Sequence, residues 1–141
     1  MAYNDWPDCR GVFLSDDYFI RVNDEDHIRI ISFVDGGEVS SAFNRAAEIA
    51  RQLEETTENF AKHEKYGYLN SSPGNIGTAM KVLVHIKSDH PNLVEWGHQK
   101  GLKVISHGHN MYDIENIARY GKSEHEIIED FCCCIEEILP I

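Results

Sequence analysis

Positive charge is scarce in this sequence: 13 lysines and arginines stand against 24 aspartates and glutamates in 141 residues, a formal net charge of −11. With no basic excess to displace counterions from a phosphate backbone, nucleic acid is excluded as a partner. A single nucleotide is not, because a local cluster of arginine and lysine with magnesium can oppose the global sign. Long apolar runs are missing, as is a basic-then-apolar leader, so no membrane partner is expected and a soluble, cytoplasmic protein is the default. Cysteine is sparse too. Cys9 stands alone and Cys132-Cys133-Cys134 are consecutive, which fits neither a disulfide framework nor ligand spacing. Successive helical residues point about 100° apart, so adjacent thiols cannot converge on one metal and are expected as small, half-buried hydrophobes. No repeat or low-complexity linker divides the chain, and residues 1–141 are expected to form a single domain.

What the chain does have, in its first third, is strand-forming sequence. Arg10 to Leu14, Tyr18 to Val22 and His27 to Val34 read as antiparallel strands, the first two joined by a tight turn at Ser15-Asp16-Asp17. Glu38 to about Glu58 is an amphipathic helix with Val39, Phe43, Ile49 and Leu53 on its apolar stripe. Tyr66 to Asn70 returns as a short strand, and Ser71 to Gly77 is a loop by its turn residues. Thr78 to Lys87 alternates like a strand. Asp89-His90-Pro91 opens a short helix with Leu93, Val94 and Trp96 inward, closed by Gly101. Lys103 to Ile105 and Tyr112 to Ile114 are short strands joined by Ile105 to Met111, and a capping box at Ser123 and Glu126 starts the last helix. This order predicts an α+β domain, an antiparallel β-sheet flanked by helices.

The densest chemistry lies in Asn23-Asp24-Glu25-Asp26-His27-Ile28-Arg29, where three successive carboxylates lead into an arginine. Adjacent carboxylates repel, which a chain tolerates on a solvated hairpin turn, or in a site where a guanidinium or a magnesium-bound phosphate supplies the missing charge. Both readings stand on composition alone. His107-Gly108-His109 places two histidines where a strand or turn could chelate a metal; no third ligand is near in sequence, so polar residues on a short loop are the expectation.

Trp6-Pro7-Asp8-Cys9-Arg10-Gly11, then Val22 to Ser32, then Gly67-Tyr68-Leu69 and Pro73-Gly74-Asn75-Ile76-Gly77-Thr78 resemble, in this order, the catalytic domain of the phosphagen kinases, in its C-terminal portion. That family moves a phosphoryl group reversibly between ATP and a guanidino compound such as arginine or creatine. The resemblance implies that Glu25 binds and deprotonates the guanidino group. It places Asp24 and Asp26 near the magnesium water shell and makes Arg29 a grip on the ATP phosphates. Lys81 falls where the family has a further phosphate-binding arginine, and keeps its charge without the bidentate fork. His85 and Asp113 line the ATP/ADP pocket by the same resemblance, and Ser72 stands at the place of a reactive cysteine beside the substrate.

Other departures bear on activity. Family members carry an Arg-Gly-Thr segment and a long mobile loop after the strand near Val104, with a second catalytic glutamate in arginine-specific members; Ile105 to Met111 holds neither arginine nor acid. Two further phosphate-binding arginines and a helical guanidino-recognition domain lie upstream of the tryptophan-proline motif in the family. A truncated, impaired phosphotransferase is therefore expected, or alternatively a non-catalytic nucleotide-binding or interaction protein of the same fold. The missing strands would leave a sheet edge or apolar face exposed, inviting a homo-oligomer.

Overall fold

The computed structural model describes residues 10–139; Trp6, Pro7, Asp8 and Cys9 of the tryptophan-proline motif lie outside them. The first three strands are β1 (Gly11–Leu14), β2 (Tyr18–Val22) and β3 (Ile28–Ser32), an antiparallel meander in that order. Helix α1 (Val39–Thr56) lies against β3, and the Ser32 hydroxyl donates to the Ala42 carbonyl at 2.5 Å. A two-stranded ribbon follows, β4 (Lys62–His63) with β5 (Gly67–Tyr68), and then a single 3-10 turn at Pro73–Asn75. The second three-stranded sheet has the order β6 (Leu83–Lys87), β8 (Met111–Asn116), β7 (Leu102–Gly108), all antiparallel. Helices α2 (Leu93–Gln99) and α3 (Glu124–Glu136) complete the chain. The α+β class with antiparallel strands and flanking helices is thus observed, distributed over two three-stranded sheets and a ribbon.

The period-2 pattern of β8 explains how the second sheet divides its faces. Tyr112, Ile114 and Asn116 turn inward, and Ile114 is wholly buried among Val82, Leu93, Leu102, Ile127, Ile128, Phe131 and Ile135. Each such burial contributes about 1.5–3 kcal/mol against leaving the side chain in water. Gly97 lets α2 come so close to β7 that a Cβ there would overlap the Val104 side chain. Asp113 and Glu115 alternate to the opposite face, the polar one. Helix α3 begins where the sequence predicts, with the Glu126 N–H donating to Ser123 Oγ and the Ser123 N–H to Glu126 Oε2 at 2.8 Å. The Ser123 N–H, and after it the Ser123 hydroxyl, donate to the Glu126 carboxylate and hold it below the ordinary range.

Four expectations are corrected. Only Leu83–Lys87 of the Thr78 to Lys87 run is strand, because Gly77 (φ 111°) and Ala79 (φ 55°) turn the backbone, and the buried Asn116 side chain takes the Val82 N–H at 2.7 Å. Val94 is exposed, whereas Leu93 is buried and Trp96 half-buried against the core as expected, with Gly97 buried in addition. Cys132 and Cys134 are half-buried, but Cys133 is exposed. Strands β7 and β8 run on to Gly108 and Met111, leaving only His109 and Asn110 at the hairpin tip, both at positive φ as a twisted two-residue turn requires.

Candidate active site

The acidic run is both a hairpin turn and a charge-compensated cluster. Val22 and Ile28 are the last pair of the β2–β3 ladder, and the Asn23 N–H closes the turn on the His27 carbonyl at 2.8 Å. Arg10 joins it from the entry to β1, its Nε donating to the Asn23 carbonyl at 2.9 Å. The three acids then take different environments. Asp24 has a side chain only 3% exposed, 3.2 Å from the Arg21 guanidinium and 3.5 Å from that of Arg29. Glu25 is half exposed, with Oε2 3.0 Å from Arg29 Nη2. Asp26 is buried and accepts three bonds from the loop after β5: the Ser71 N–H at 2.9 Å, the Ser72 N–H at 3.3 Å, and Asn75 Nδ2 at 2.5 Å.

Asp26 therefore fastens the hairpin to the Ser71 to Asn75 loop, bringing Ser72 beside the acidic turn. Residues 45 to 49 apart in sequence are joined by one carboxylate. The loop is also pinned from below. The Gly67 and Gly77 backbones pack directly together, with Tyr68 N–H to the Gly77 carbonyl at 2.8 Å, and Thr78 N–H to the Arg119 carbonyl at 2.8 Å. Gly77 needs its missing Cβ, since a side chain there would meet the Arg119 carbonyl.

The other predicted residues gather on the polar face of the second sheet. His85 and Asp113 are direct cross-strand partners, with His85 Nδ1 2.5 Å from Asp113 Oδ1. His107 Nε2 reaches the other oxygen at 2.9 Å. Burial alone would raise the Asp113 pKa; bonds from His107 and His85 outweigh it and bring the group below its ordinary value. One step along the same face, Lys81 Nζ lies 2.7 Å from Glu115 Oε2 and Lys103 Nζ 3.0 Å from Oε1. Glu115 is likewise pushed up by burial and held below the usual range by its two lysines.

Sequence reasoning missed Lys103, Glu115 and His107 as members of this cluster. Period-2 alternation would have put Asp113 and Glu115 on one face, but pairing them with β7 needs the register. His107 is the extra residue where that register shifts between Ser106 and Gly108, a bulge that turns its imidazole onto Asp113. Among the described residues no group of three or more acidic, histidine or cysteine side chains could hold a metal ion directly, and no helix is long and apolar enough to cross a membrane.

An acidic hairpin tip held by arginines and locked to a proline-glycine loop forms a site at the end of the first sheet. Over residues 1–141 the sequence matches the ATP:guanido phosphotransferase C-terminal catalytic domain. It is 36% identical over 153 residues to arginine kinase of Liolophura japonica, covering 99% of this chain and 44% of that protein. With lombricine kinase of Eisenia fetida identity is 34%, over 91% of this chain and 39% of the relative. The fold superposes on the duplicated taurocyamine kinase from Schistosoma mansoni with bound transition state analog components, at a TM-score of 0.85 and 29% identity, over 96% of this chain and 20% of that one. On the crystal structure of lombricine kinase the TM-score is 0.83 at 30% identity, covering 95% of this chain and 42% of the other. The chain belongs to the ATP:guanido phosphotransferase family, the phosphagen kinases. It spans less than half the length of these curated relatives.

Proposed function

We propose that the chain supports reversible phosphoryl transfer between MgATP and a guanidino compound. Glu25 orients the guanidinium and takes its proton as the new N–P bond forms and the bond from the γ-phosphorus to the β-phosphate bridging oxygen breaks, releasing ADP. Arg29 and Lys81 neutralise phosphate charge, His85 and Asp113 face the nucleotide, and Ser72 borders the guanidino substrate; Asp24 and Asp26, shielded and already bonded to arginines and to loop donors, hold the turn in place rather than reaching the substrate's magnesium.

One observation carries this reading. Of the three acids, only Glu25 presents its carboxylate to solvent, at 51% exposure, and it already holds a guanidinium, that of Arg29, at 3.0 Å. A guanidino substrate offers the same planar donors and would displace Arg29 from Glu25, freeing Arg29 to turn to phosphate. Turnover should be weak. Lys81 lacks the fork, Ser72 cannot supply a thiolate, and β7 continues without an arginine. Each missing contact costs about 2 kcal/mol or more of transition-state stabilisation, so several together lower the rate by many powers of ten. A coupled assay of ATP consumption with arginine, creatine and related guanidines tests this. Activity abolished by Glu25→Gln supports it, and no turnover with any guanidine overturns it.

A second reading, a non-catalytic nucleotide-binding or self-associating protein, is favoured by β1. Among the described residues β1 pairs only with β2, and Phe13 and Leu14 are 62% and 80% exposed on a groove shared with Tyr18, Ile20 and Leu53. Such an edge with an apolar face invites a second chain. Binding of MgADP without turnover, with light scattering showing a dimer, is the outcome this reading expects.

A further inference from the structure

The polar face of the β6–β8–β7 sheet repeats one arrangement twice. In one row Glu115 lies between Lys81 and Lys103, each lysine on its own carboxylate oxygen. In the next row Asp113 lies between His85 and His107, again one imidazole to each oxygen. Both acids belong to the central strand and are shielded, with side chains 8% and 15% exposed, while the four flanking groups are 48% to 70% exposed. Two residues of strand separate the rows, about 7 Å.

Charge counting gives the lysine row a direction. An ammonium has three donors and each lysine spends one on Glu115, so further N–H groups of two adjacent cations remain for solvent or an anion. Two ammonium groups on one carboxylate leave that row net positive, within a chain whose formal charge is −11. Glu115 acts as a spacer: it holds two cations close enough for one phosphate group to touch both, and its depressed pKa keeps it charged. The imidazoles of the next row each spend one ring nitrogen on Asp113 and lie beside the lysines on the same exposed face.

We propose that Lys103 joins Lys81 in a phosphate subsite over Glu115, beside the His85–Asp113–His107 row, which takes the polyphosphate of the nucleotide. Lys103 is thereby a phosphate-binding residue from β7. The inference rests on the nucleotide reading above for the identity of its ligand, but the subsite is defined by phosphate chemistry alone.

Calorimetric titration with inorganic tripolyphosphate and with MgADP separates the two. Lys103→Gln should weaken both ligands about tenfold or more, the loss of one charge-assisted hydrogen bond. Lys103→Arg should restore most of the affinity. Lys100→Gln, which removes a cation paired with Glu137 at 2.7 Å, should change neither, and so controls for net charge. On adding tripolyphosphate, the imidazole NMR signals of His85 and His107 should shift. If tripolyphosphate binds through Lys103 and MgADP does not bind, the subsite stands and the nucleotide reading falls. If MgADP binding is lost in Arg29→Ala but untouched in Lys103→Gln, the subsite is overturned and the nucleotide reading stands. A Lys103→Gln protein that melts earlier yet binds both ligands as before shows a purely structural ion pair and also overturns it. Failure of the unaltered chain to bind either ligand overturns both.

Discussion

Arg21 and Arg29 are direct partners across the β2–β3 ladder, and the Asp24 carboxylate lies between their guanidinium groups at 3.2 and 3.5 Å. Like charges placed opposite each other destabilise a strand pair, so the turn supplies the compensating anion. Asp24→Asn keeps the shape and removes the charge. It should cost about 1–3 kcal/mol, read as a lower urea midpoint with unchanged slope.

Glu25 and Asp26 are neighbours with opposite expected phenotypes. Glu25→Gln alters a half-exposed group, so stability should stay within about 0.5 kcal/mol while guanidine-dependent turnover falls about a hundredfold or more. Asp26→Ala strips a buried acceptor from three donors and should cost about 2–4 kcal/mol. Hydrogen exchange would place the damage: protection at the Ser71 and Ser72 amides should vanish.

Gly77 is held where no side chain fits, at φ 111° with the Arg119 carbonyl against it. Gly77→Ala should destabilise by about 2–4 kcal/mol through strain and overlap. Gly74, three residues earlier, has open space around it, and Gly74→Ala should be neutral or stabilising by up to about 1 kcal/mol. Thermal melts of the two variants test the contrast.

Acid should loosen the second sheet. Asp113 and Glu115 have folded pKa values below their ordinary 3.8 and 4.5, so their stabilisation is present above those values and is lost as pH falls through the lower folded ones. Melting temperature should fall steeply only below about pH 4.5. In Glu115→Gln the neutral-pH melting temperature should be lower and the acid decline shallower.

Local signals were legible wherever they were self-contained. Strands β1 to β3, helix α1 and the Ser123–Glu126 cap follow from alternation, amphipathic period and capping chemistry, which involve residues close in sequence. The acidic turn could be found, but its division of labour could not. Asp24, Glu25 and Asp26 are equivalent by type, and only the register of Arg21 with Arg29 and the docking of a loop some 45 residues away make one buried against arginines, one open and one bound to amides. Likewise Thr78 to Val82 alternates like a strand but is bent by Gly77 and Ala79 and clamped by the distant Asn116. His107 owes its place to a bulge, which no periodicity announces.

Every buried apolar side chain among the described residues, apart from Ile49, comes from Val82 onward. The portion that carries Glu25 and Arg29 thus rides on thinner insulation than the portion that carries Lys81 and Asp113, and should breathe first, as a partial opening short of full denaturation. A small molecule long enough to touch both portions would work as a clasp, tightening the fold in proportion to its own affinity.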